Sequence, residues 1–225
     1  YNTASNSTHN LGFSFSGADE NNNNDFYIGV ERLQTDGISA MDDNDENDKY
    51  RNNTLVANFG HKFSDVIKFK TNFRLADTYL QYDTVDNSYN DNNYSDAIES
   101  SGSIGLIYTP IKKFTNKFSL GKTYIKRIYN EYDEAQDEFG GDRNVFSYNG
   151  AYNFNLDNSI VFGIDNEFDE MYRNKDATNS HGTQHNSETI SRYVDFQTRI
   201  NKNLYATLGA RFDDHSKAGN EDSER

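Results

Sequence analysis

The chain alternates between apolar and polar residues with a period of two over most of its length. Between Ile67 and Leu75 the odd positions are Ile, Phe, Thr, Phe and Leu, whereas the even positions include Lys68, Lys70 and Arg74. This period is typical of a β-strand with one apolar and one polar face. The pattern predicts ten strands, around Leu11–Phe15, Phe26–Val30, Thr54–Phe63, Ile67–Tyr79, Gly102–Tyr108, Phe118–Tyr129, Phe146–Phe154, Ile160–Phe168, Ile190–Ile200 and Leu204–Asp213.

The predicted connections between these strands alternate in length. The short ones are Asp19–Asn24, Lys62–Val66, Pro110–Asn116, Leu156–Asn158 and Ile200–Asn203. The long ones are acidic and rich in Asn, and they are Thr35–Lys49, Tyr82–Ile98, Glu131–Arg143 and Arg173–Glu188. This alternation indicates an antiparallel up-and-down meander. It is typical of outer-membrane β-barrels, which have short periplasmic turns and long extracellular loops.

Period two alone does not separate a membrane barrel, which is apolar outside, from a soluble one, which is apolar inside. Three features favour the membrane barrel. The strands reach the roughly 9–11 residues that a tilted strand needs to cross a bilayer, and their polar faces carry charges that suit a hydrated lumen. Aromatic residues near the strand ends match the girdles of such barrels, namely Tyr27, Tyr79, Tyr108, Tyr129, Tyr152, Phe168, Tyr193 and Phe212. A soluble β-sandwich or adhesin-type repeat is the alternative.

Composition excludes several other classes. The 225 residues contain no Cys, which excludes a disulfide scaffold, a thiolate metal site and a cysteine nucleophile. A net charge of −14 argues against a nucleic-acid binder, which needs a basic surface. No apolar run approaches the roughly 18 residues of a membrane-spanning helix, and the 14% aromatic content argues against disorder.

Several segments of the chain resemble the barrel of TonB-dependent outer-membrane receptors, and their order resembles the cobalamin-transporter branch in particular. LYATLGARFDDHSKAGNED (Leu204–Asp222) is similar to a strand and loop common in this family. QTDGISAMDDNDENDKYRNNTLVANFGHKFSD (Gln34–Asp65) is similar to early barrel strands and a calcium-binding loop. The segments Gln81–Tyr108 and Phe139–Phe168 follow in the expected order. The resemblance covers nearly the whole chain.

The resemblance implies a barrel of about 22 strands, closed by an N-terminal plug domain. Such proteins import scarce, large nutrients such as cobalamin or iron chelates, and the inner-membrane TonB complex supplies the energy. Residues 1–225 are then about ten strands of the barrel domain, with the plug and the C-terminal strands outside this chain. We therefore expect a non-enzymatic, multi-pass protein of the outer membrane of a Gram-negative bacterium, in contact with outer-membrane lipid, with cobalamin as its ligand.

The same resemblance implies a calcium site in the first two long loops. Calcium takes 6–8 oxygen ligands, mostly carboxylates and carbonyls. The predicted ligands are Asp36, Asp43, Asp45, Asp83 and Asp96, and the predicted ligand-contact residues are Tyr89 and Tyr94. The alternative is that these Asp- and Asn-rich loops are only solvated surface.

The sequence also permits other hypotheses about sites and function. His181 and His185 have a spacing of four, which would suit two metal ligands on a helix, but the residues around them indicate a loop. His215 lies near Asp213, Asp214 and Ser216, the one arrangement that resembles a catalytic group, but a polar extracellular rim is the favoured explanation. A receptor for a siderophore or another chelate, a passive porin and a barrel enzyme are the alternatives in function. The acidic loops disfavour anionic ligands unless a cation offsets their charge.

Overall fold

The computed structural model describes residues 2–4, 6–38, 47–83, 93–131, 134–175, 182–216 and 219–224. These residues form one antiparallel sheet of twelve strands in sequence order. The strands are β1 (Asn2–Ala4), β2 (Thr8–Ala18), β3 (Asn24–Thr35), β4 (Tyr50–Lys62), β5 (Ile67–Gln81), β6 (Tyr94–Ile111), β7 (Phe114–Glu131), β8 (Glu134–Asn153), β9 (Asn158–Lys175), β10 (Thr183–Asn201), β11 (Leu204–His215) and β12 (Gly219–Glu224). No helix among the described residues has the length and apolar character to cross a bilayer.

The predicted all-β, antiparallel up-and-down fold is confirmed, and β2–β11 are the ten predicted strands. The short strands β1 and β12 extend the sheet at its two edges. Within the described residues each edge strand pairs with a single neighbour, so the sheet is open, as expected for part of a larger barrel.

The register gives the sheet two chemically different faces. On the apolar face, one row across five strands consists of Phe69, Leu106, Phe118, Tyr148 and Ile164. On the polar face, the adjacent row runs through Lys70, Gly105, Ser119, Ser147, Asp165, Ser191 and Asp213. Among the described residues, only Ala76 and Ala97 are buried hydrophobics, because a single sheet has no second layer to cover its apolar face. In a membrane barrel, lipid covers that face and the polar face lines the lumen.

Apolar side chains cover this face only in the half of the sheet next to the short turns. On β5 the apolar segment runs from Ile67 to Leu75, and on β9 it runs from Ile160 to Phe168. Nine residues extend about 30 Å along a strand, or about 23 Å across the membrane at a tilt of about 40°. This height matches the apolar band of roughly 25 Å that faces lipid in such barrels.

The strands continue beyond this apolar band toward the long loops, and here the sequence prediction was wrong. The segments 131–143 and 173–188 were predicted as loops because they are polar, yet β7, β8, β9 and β10 pair through most of them. Between β7 and β8 these polar strands carry cross-strand salt bridges, in which Lys126 contacts Glu138 at 2.9 Å and Lys122 contacts Asp142 at 2.8 Å. Residues 94–98 of the second predicted loop likewise belong to β6.

The aromatic girdle also contains fewer of the predicted residues than expected. Tyr27, Tyr129 and Tyr193 lie on the polar face, so they are not part of a lipid-facing girdle. The other predicted girdle residues lie on the apolar face, with Tyr108 and Tyr152 next to the short turns and Tyr79, Phe168 and Phe212 toward the long loops. Phe114 contacts Tyr152 with ring centroids 6.3 Å apart, and Phe154 contacts Phe196 at 6.5 Å.

Asn and Asp side chains close the short turns by bonding to nearby backbone N–H groups, as expected from turn chemistry. In the turn between β2 and β3, the carboxylate of Asp19 accepts hydrogen bonds from the N–H of Asn23 (2.6 Å) and of Asn24 (3.1 Å). The bond from Asn24 is the largest factor that lowers the pKa of Asp19. Asn22 in the same turn has a φ of 52°, in the left-handed region that Asn tolerates.

We predict that Leu106→Arg lowers the free energy of unfolding by about 2–4 kcal/mol, because it places a charge on the lipid-facing side near the middle of the apolar band. Ser119→Arg, one row away on the polar face, is the control and should change the free energy of unfolding little. Urea unfolding in lipid vesicles of the full-length protein that contains this chain measures both effects. A larger loss for Ser119→Arg than for Leu106→Arg would show that the two faces are assigned the wrong way round.

Candidate functional site at the loop end of the sheet

A group of aromatic and arginine side chains lies on the polar face where the strands approach the long loops. Tyr82 follows β5, Arg127 and Tyr129 are on β7, Phe139 is on β8 and Arg173 is on β9. Arg127 is paired with Phe139, and Phe139 is paired with Arg173, so these three side chains share one row. We call these five residues the mouth cluster, because in a closed barrel they face the lumen beyond the apolar band.

The rings of the mouth cluster pack edge to face. The ring centroids of Tyr82 and Tyr129 are 5.9 Å apart at an interplanar angle of 75°, and those of Tyr129 and Phe139 are 5.8 Å apart at 84°. The guanidinium of Arg173 lies 4.9 Å from the centroid of the Phe139 ring. Both arrangements are favourable electrostatically, since ring edges and cations are attracted to the negative face of a ring.

Hydrogen bonds hold the side chains of Arg127 and Arg173 in position. Arg173 donates through Nη2 to Asp137 at 2.9 Å and through Nε to the other carboxylate oxygen at 3.4 Å. Arg127 donates to the hydroxyl of Tyr129 at 3.4 Å. The pairing of β7 with β8 shifts register between Tyr129 and Asn130, beside this cluster, and such bulges re-aim side chains near functional sites. The cluster is therefore an ordered aromatic surface with two cations.

Burial raises the pKa of Tyr82, and the nearby carboxylates of Glu131 and Asp137 act in the same direction. The Tyr82 hydroxyl therefore stays protonated at physiological pH. It donates to the backbone carbonyl of Asn130 at 3.4 Å, which ties the start of the second long loop to the end of β7.

The predicted calcium ligands are placed only in part. Asp43 and Asp45, together with the predicted ligand-contact residue Tyr89, lie outside the described residues. Asp36 directly follows β3, and its N–H donates to the carbonyl of Asn6 at 3.1 Å. The next residue, Gly37, has a φ of 67°, and a Cβ there would collide with the carbonyl oxygen of Asp48. Glycine therefore lets the two ends of the first long loop meet next to Asp36.

Asp83 lies at the start of the second long loop, whereas Asp96 and Tyr94 are in β6, in rows that belong to the apolar side of the sheet. Tyr94 stacks on Tyr79 with ring centroids 5.4 Å apart, and Arg51 lies 5.5 Å from the Tyr79 ring.

Asp96 lies on the loop side of the apolar band, outside the membrane-spanning part of β6. Burial raises the pKa of its carboxyl, the charge of Asp77 raises it further and that of Arg51 opposes both.

Among the described residues, no three His, Cys, Asp or Glu side chains gather into a group that would hold a metal ion. Asp36, Asp83 and Asp96 alone thus do not make such a site, and the calcium site remains a prediction that depends on the loop segments containing Asp43 and Asp45. Asp96 and Tyr94 also face the outside of a closed barrel rather than its lumen.

The mouth cluster was not predicted from the sequence. Tyr129 was assigned to the girdle, and Phe139 and Arg173 fell in or beside segments predicted as loops. Pairing of β7 with β8 and of β8 with β9 places Arg127 and Arg173 in one row, although they are 46 positions apart in the sequence. The alternation within one strand carries no information about which strands are neighbours. The available signal was the aromatic residue Phe139 within the otherwise mostly polar segment 131–143.

The structure also bears on the two hypotheses about histidines. His185 lies on a strand, β10, opposite Met171, and His181 lies outside the described residues. Asp213 accepts a hydrogen bond from Arg211 at 2.8 Å, and the Ser216 hydroxyl accepts one from the N–H of Glu188 at 2.9 Å. The first contact lies within β11, and the second joins β10 to the residue that follows β11 at the loop end of the sheet.

Comparison with models of known protein families gave no match, and no curated protein matches the chain. Solved structures do match its fold. The outer-membrane transporter YddB from Escherichia coli has a TM-score of 0.79 and 12% identity, over 97% of this chain and 35% of that one. The siderophore receptor PirA from Pseudomonas aeruginosa has a TM-score of 0.71 and 15% identity, over 96% and 35%. The RagAB peptide importer in its closed-closed state has a TM-score of 0.71 and 13% identity, over 96% and 33%.

The chain thus has the fold of part of the β-barrel of these outer-membrane proteins, and it spans about a third of their length. This is a fold of Gram-negative outer membranes, in agreement with the multi-pass location predicted from the sequence. None of the three structures is described as a cobalamin transporter, so the resemblance to that branch remains a prediction.

We predict that Arg173 and Asp137 are coupled by about 0.5–1 kcal/mol in a double-mutant cycle of Arg173→Ala and Asp137→Ala, because the pair is bidentate but partly exposed. Urea unfolding of the full-length protein measures the coupling, and 0.5 M NaCl should reduce it. Asp142→Ala is the control partner, since Asp142 lies on the other face of β8. Equal coupling of Arg173 to both acids would contradict this geometry.

Proposed function

We propose that this chain is a segment of the barrel of an outer-membrane receptor that takes up a scarce, large nutrient by TonB-dependent active transport. The observation that carries this proposal is the open, two-faced sheet, whose strands continue past the lipid-facing band toward long loops and whose fold matches receptor and transporter barrels. Energy transfer from the TonB complex and gating by a plug domain belong to parts of the protein outside this chain. No step of this mechanism is enzymatic.

In the proposed mechanism, the loop end captures the ligand before it enters the lumen. The mouth cluster offers three rings on which a large ligand with a planar conjugated part would stack, and two arginines that would donate hydrogen bonds to its oxygens. Pairing of Arg173 with Asp137 holds the Phe139 ring in place. The binding surface is thereby ordered before the ligand arrives, which reduces the entropy lost on binding.

Cobalamin is the ligand that we propose, on the basis of the resemblance of Gln34–Asp65 to the calcium-binding loop of cobalamin transporters. Calcium bound by Asp36, Asp43, Asp45, Asp83 and Asp96 would order the first two long loops and offset part of their negative charge. A ligand with little net charge suits the acidic loop end better than an anionic ligand does.

A siderophore or a peptide is the second candidate ligand. It is favoured by the comparisons, which match a siderophore receptor and a peptide importer. Both candidates share the proposed route through the mouth cluster, and they differ in their dependence on calcium.

Cobalamin should bind the full-length protein in detergent tightly with calcium and at least ten-fold more weakly with a chelator, because the loops lose their order without the ion. The variant Asp43→Ala/Asp45→Ala should bind weakly in both conditions. Equilibrium dialysis with labelled cobalamin measures all three, and a ferric siderophore and a peptide mixture serve as comparison ligands. If cobalamin does not bind in calcium while one of these does, the ligand is wrong and the receptor class stands.

Phe139→Ala should weaken binding of the ligand found in that experiment about ten-fold, because it removes one stacking ring and the support of Arg173. Tyr94→Ala removes a ring of similar size from the outer side of the sheet and should have a much smaller effect. Heat-modifiable migration in gels checks that both variants are folded. A large loss for Tyr94→Ala with none for Phe139→Ala would assign the ligand contact to Tyr94, as predicted from the sequence, and not to the mouth cluster.

A further inference from the structure

The lipid-facing band of this sheet reaches the short turns without an intervening polar layer. The last paired residues before the turns are aromatic or aliphatic on the apolar face, as in the pairs Phe114–Tyr152 and Ile67–Tyr108. The turn residues that follow lie immediately below the band, at the depth of lipid headgroups. In outer-membrane barrels the short turns are periplasmic, so these headgroups belong to the inner leaflet.

Two of the turns present an exposed apolar side chain beside lysines, and the turn between them presents a third exposed apolar side chain. Ile111 precedes Lys112 and Lys113 in the first, and Ile200 precedes Lys202 in the second. Leu156, in the turn between them, is fully exposed. Lys113 donates to the backbone carbonyl of Phe154 at 2.9 Å, which joins two of the turns along the rim. Apolar residues next to cations are typical of surfaces that sit at a lipid headgroup layer.

The charge of the short-turn end is opposite in sign to that of the chain as a whole. This end consists of residues 16–27, 59–70, 108–118, 150–162 and 197–206. It carries eight Lys or Arg against five Asp or Glu, whereas the whole chain carries 22 against 36. Three of the five acids are in or directly beside the turn between β2 and β3, so the turns from β4 to β11 are predominantly basic.

The two acids of these basic turns are already paired. Lys62 contacts Asp65 at 2.5 Å, and Arg199 contacts Asp157 at 3.8 Å. Lys112 and Lys202 are exposed and form no salt bridge within the part of the chain that the structure describes. Cations without acidic partners, next to exposed apolar side chains, attract an anionic surface that also has an apolar layer.

We propose that the rim formed by Lys112, Lys113 and Lys202, with Ile111, Leu156 and Ile200, binds anionic phospholipid headgroups of the inner leaflet. The ammonium groups pair with the phosphates, and the apolar side chains enter the headgroup–acyl boundary. The acidic loop end repels the same lipids, so the rim also favours one orientation of the barrel in the membrane. This inference requires the barrel fold and does not depend on which nutrient is transported.

The test is lipid retention by the full-length protein that contains this chain, purified in detergent. The protein is titrated with equal amounts of phosphatidylglycerol and phosphatidylcholine that carry the same acyl chains, and native mass spectrometry gives the ratio of the two retained lipids. Lys112→Gln/Lys113→Gln removes two charges from the rim. Lys122→Gln/Lys126→Gln is a matched control, because it removes two charges from β7, the strand that follows this turn, farther toward the long loops.

The wild-type protein should retain phosphatidylglycerol in preference to phosphatidylcholine. The rim variant should lose on the order of ten-fold of this preference, since each cation near an anionic surface contributes a several-fold gain in binding. The control variant should change the preference less than about two-fold. Lys112→Gln alone leaves the bond from Lys113 to Phe154 intact, and it should give an intermediate loss.

Two results would overturn the proposal. The first is equal retention of both lipids by the wild-type protein. The second is an equal loss of preference in the rim and control variants, which would mean that net charge and not the rim selects the lipid. Binding of an acidic peptide to the rim without any lipid preference would likewise assign the rim to a protein partner. None of these results bears on nutrient binding, so failure here is distinguishable from failure of the proposed transport function.

Discussion

An antiparallel sheet pairs the backbone N–H and C=O groups of its strands, but a single sheet leaves both faces uncovered, and this constraint organises the whole chain. Apolar rows such as Phe69, Leu106 and Phe118 need a nonpolar surrounding, whereas the adjacent polar rows need water. Only an environment that is apolar on one side and aqueous on the other satisfies both. A lipid bilayer around a hydrated lumen is such an environment, and it explains why buried hydrophobic side chains are nearly absent among the described residues.

The same constraint separates the sheet into levels. Apolar residues cover the face that meets lipid only beside the short turns, and beyond them the outer face carries cross-strand salt bridges such as Lys122–Asp142. Strands that leave the membrane still need their hydrogen bonds, so pairing continues into water until the loops begin. Three chemically different zones result, namely a basic rim at the turns, an apolar band and an acidic loop end with the mouth cluster on its inner side.

Much of this architecture could be predicted from the sequence because alternation is a local signal. Ile67–Leu75 shows it clearly, and there the predicted strand and its two faces are confirmed. The prediction failed where polarity was taken as the sign of a loop, as at 131–143, because polar residues also occupy strands that stand in water. It failed again for the mouth cluster, since the proximity of Arg127, Phe139 and Arg173 is a property of strand register and not of any one segment.

Assignment of the two faces is the claim on which the transport and lipid proposals both rest. The most direct test places single cysteines at successive positions from 102 to 108 of β6, which is simple because the chain has no Cys. Each is spin-labelled in the full-length protein in lipid vesicles, and collision rates are measured with oxygen and with a water-soluble nickel complex. We expect even positions to collide mainly with oxygen, as lipid-facing sites, and odd positions to favour the nickel complex. The opposite phase, or nickel access at every position, would contradict the account.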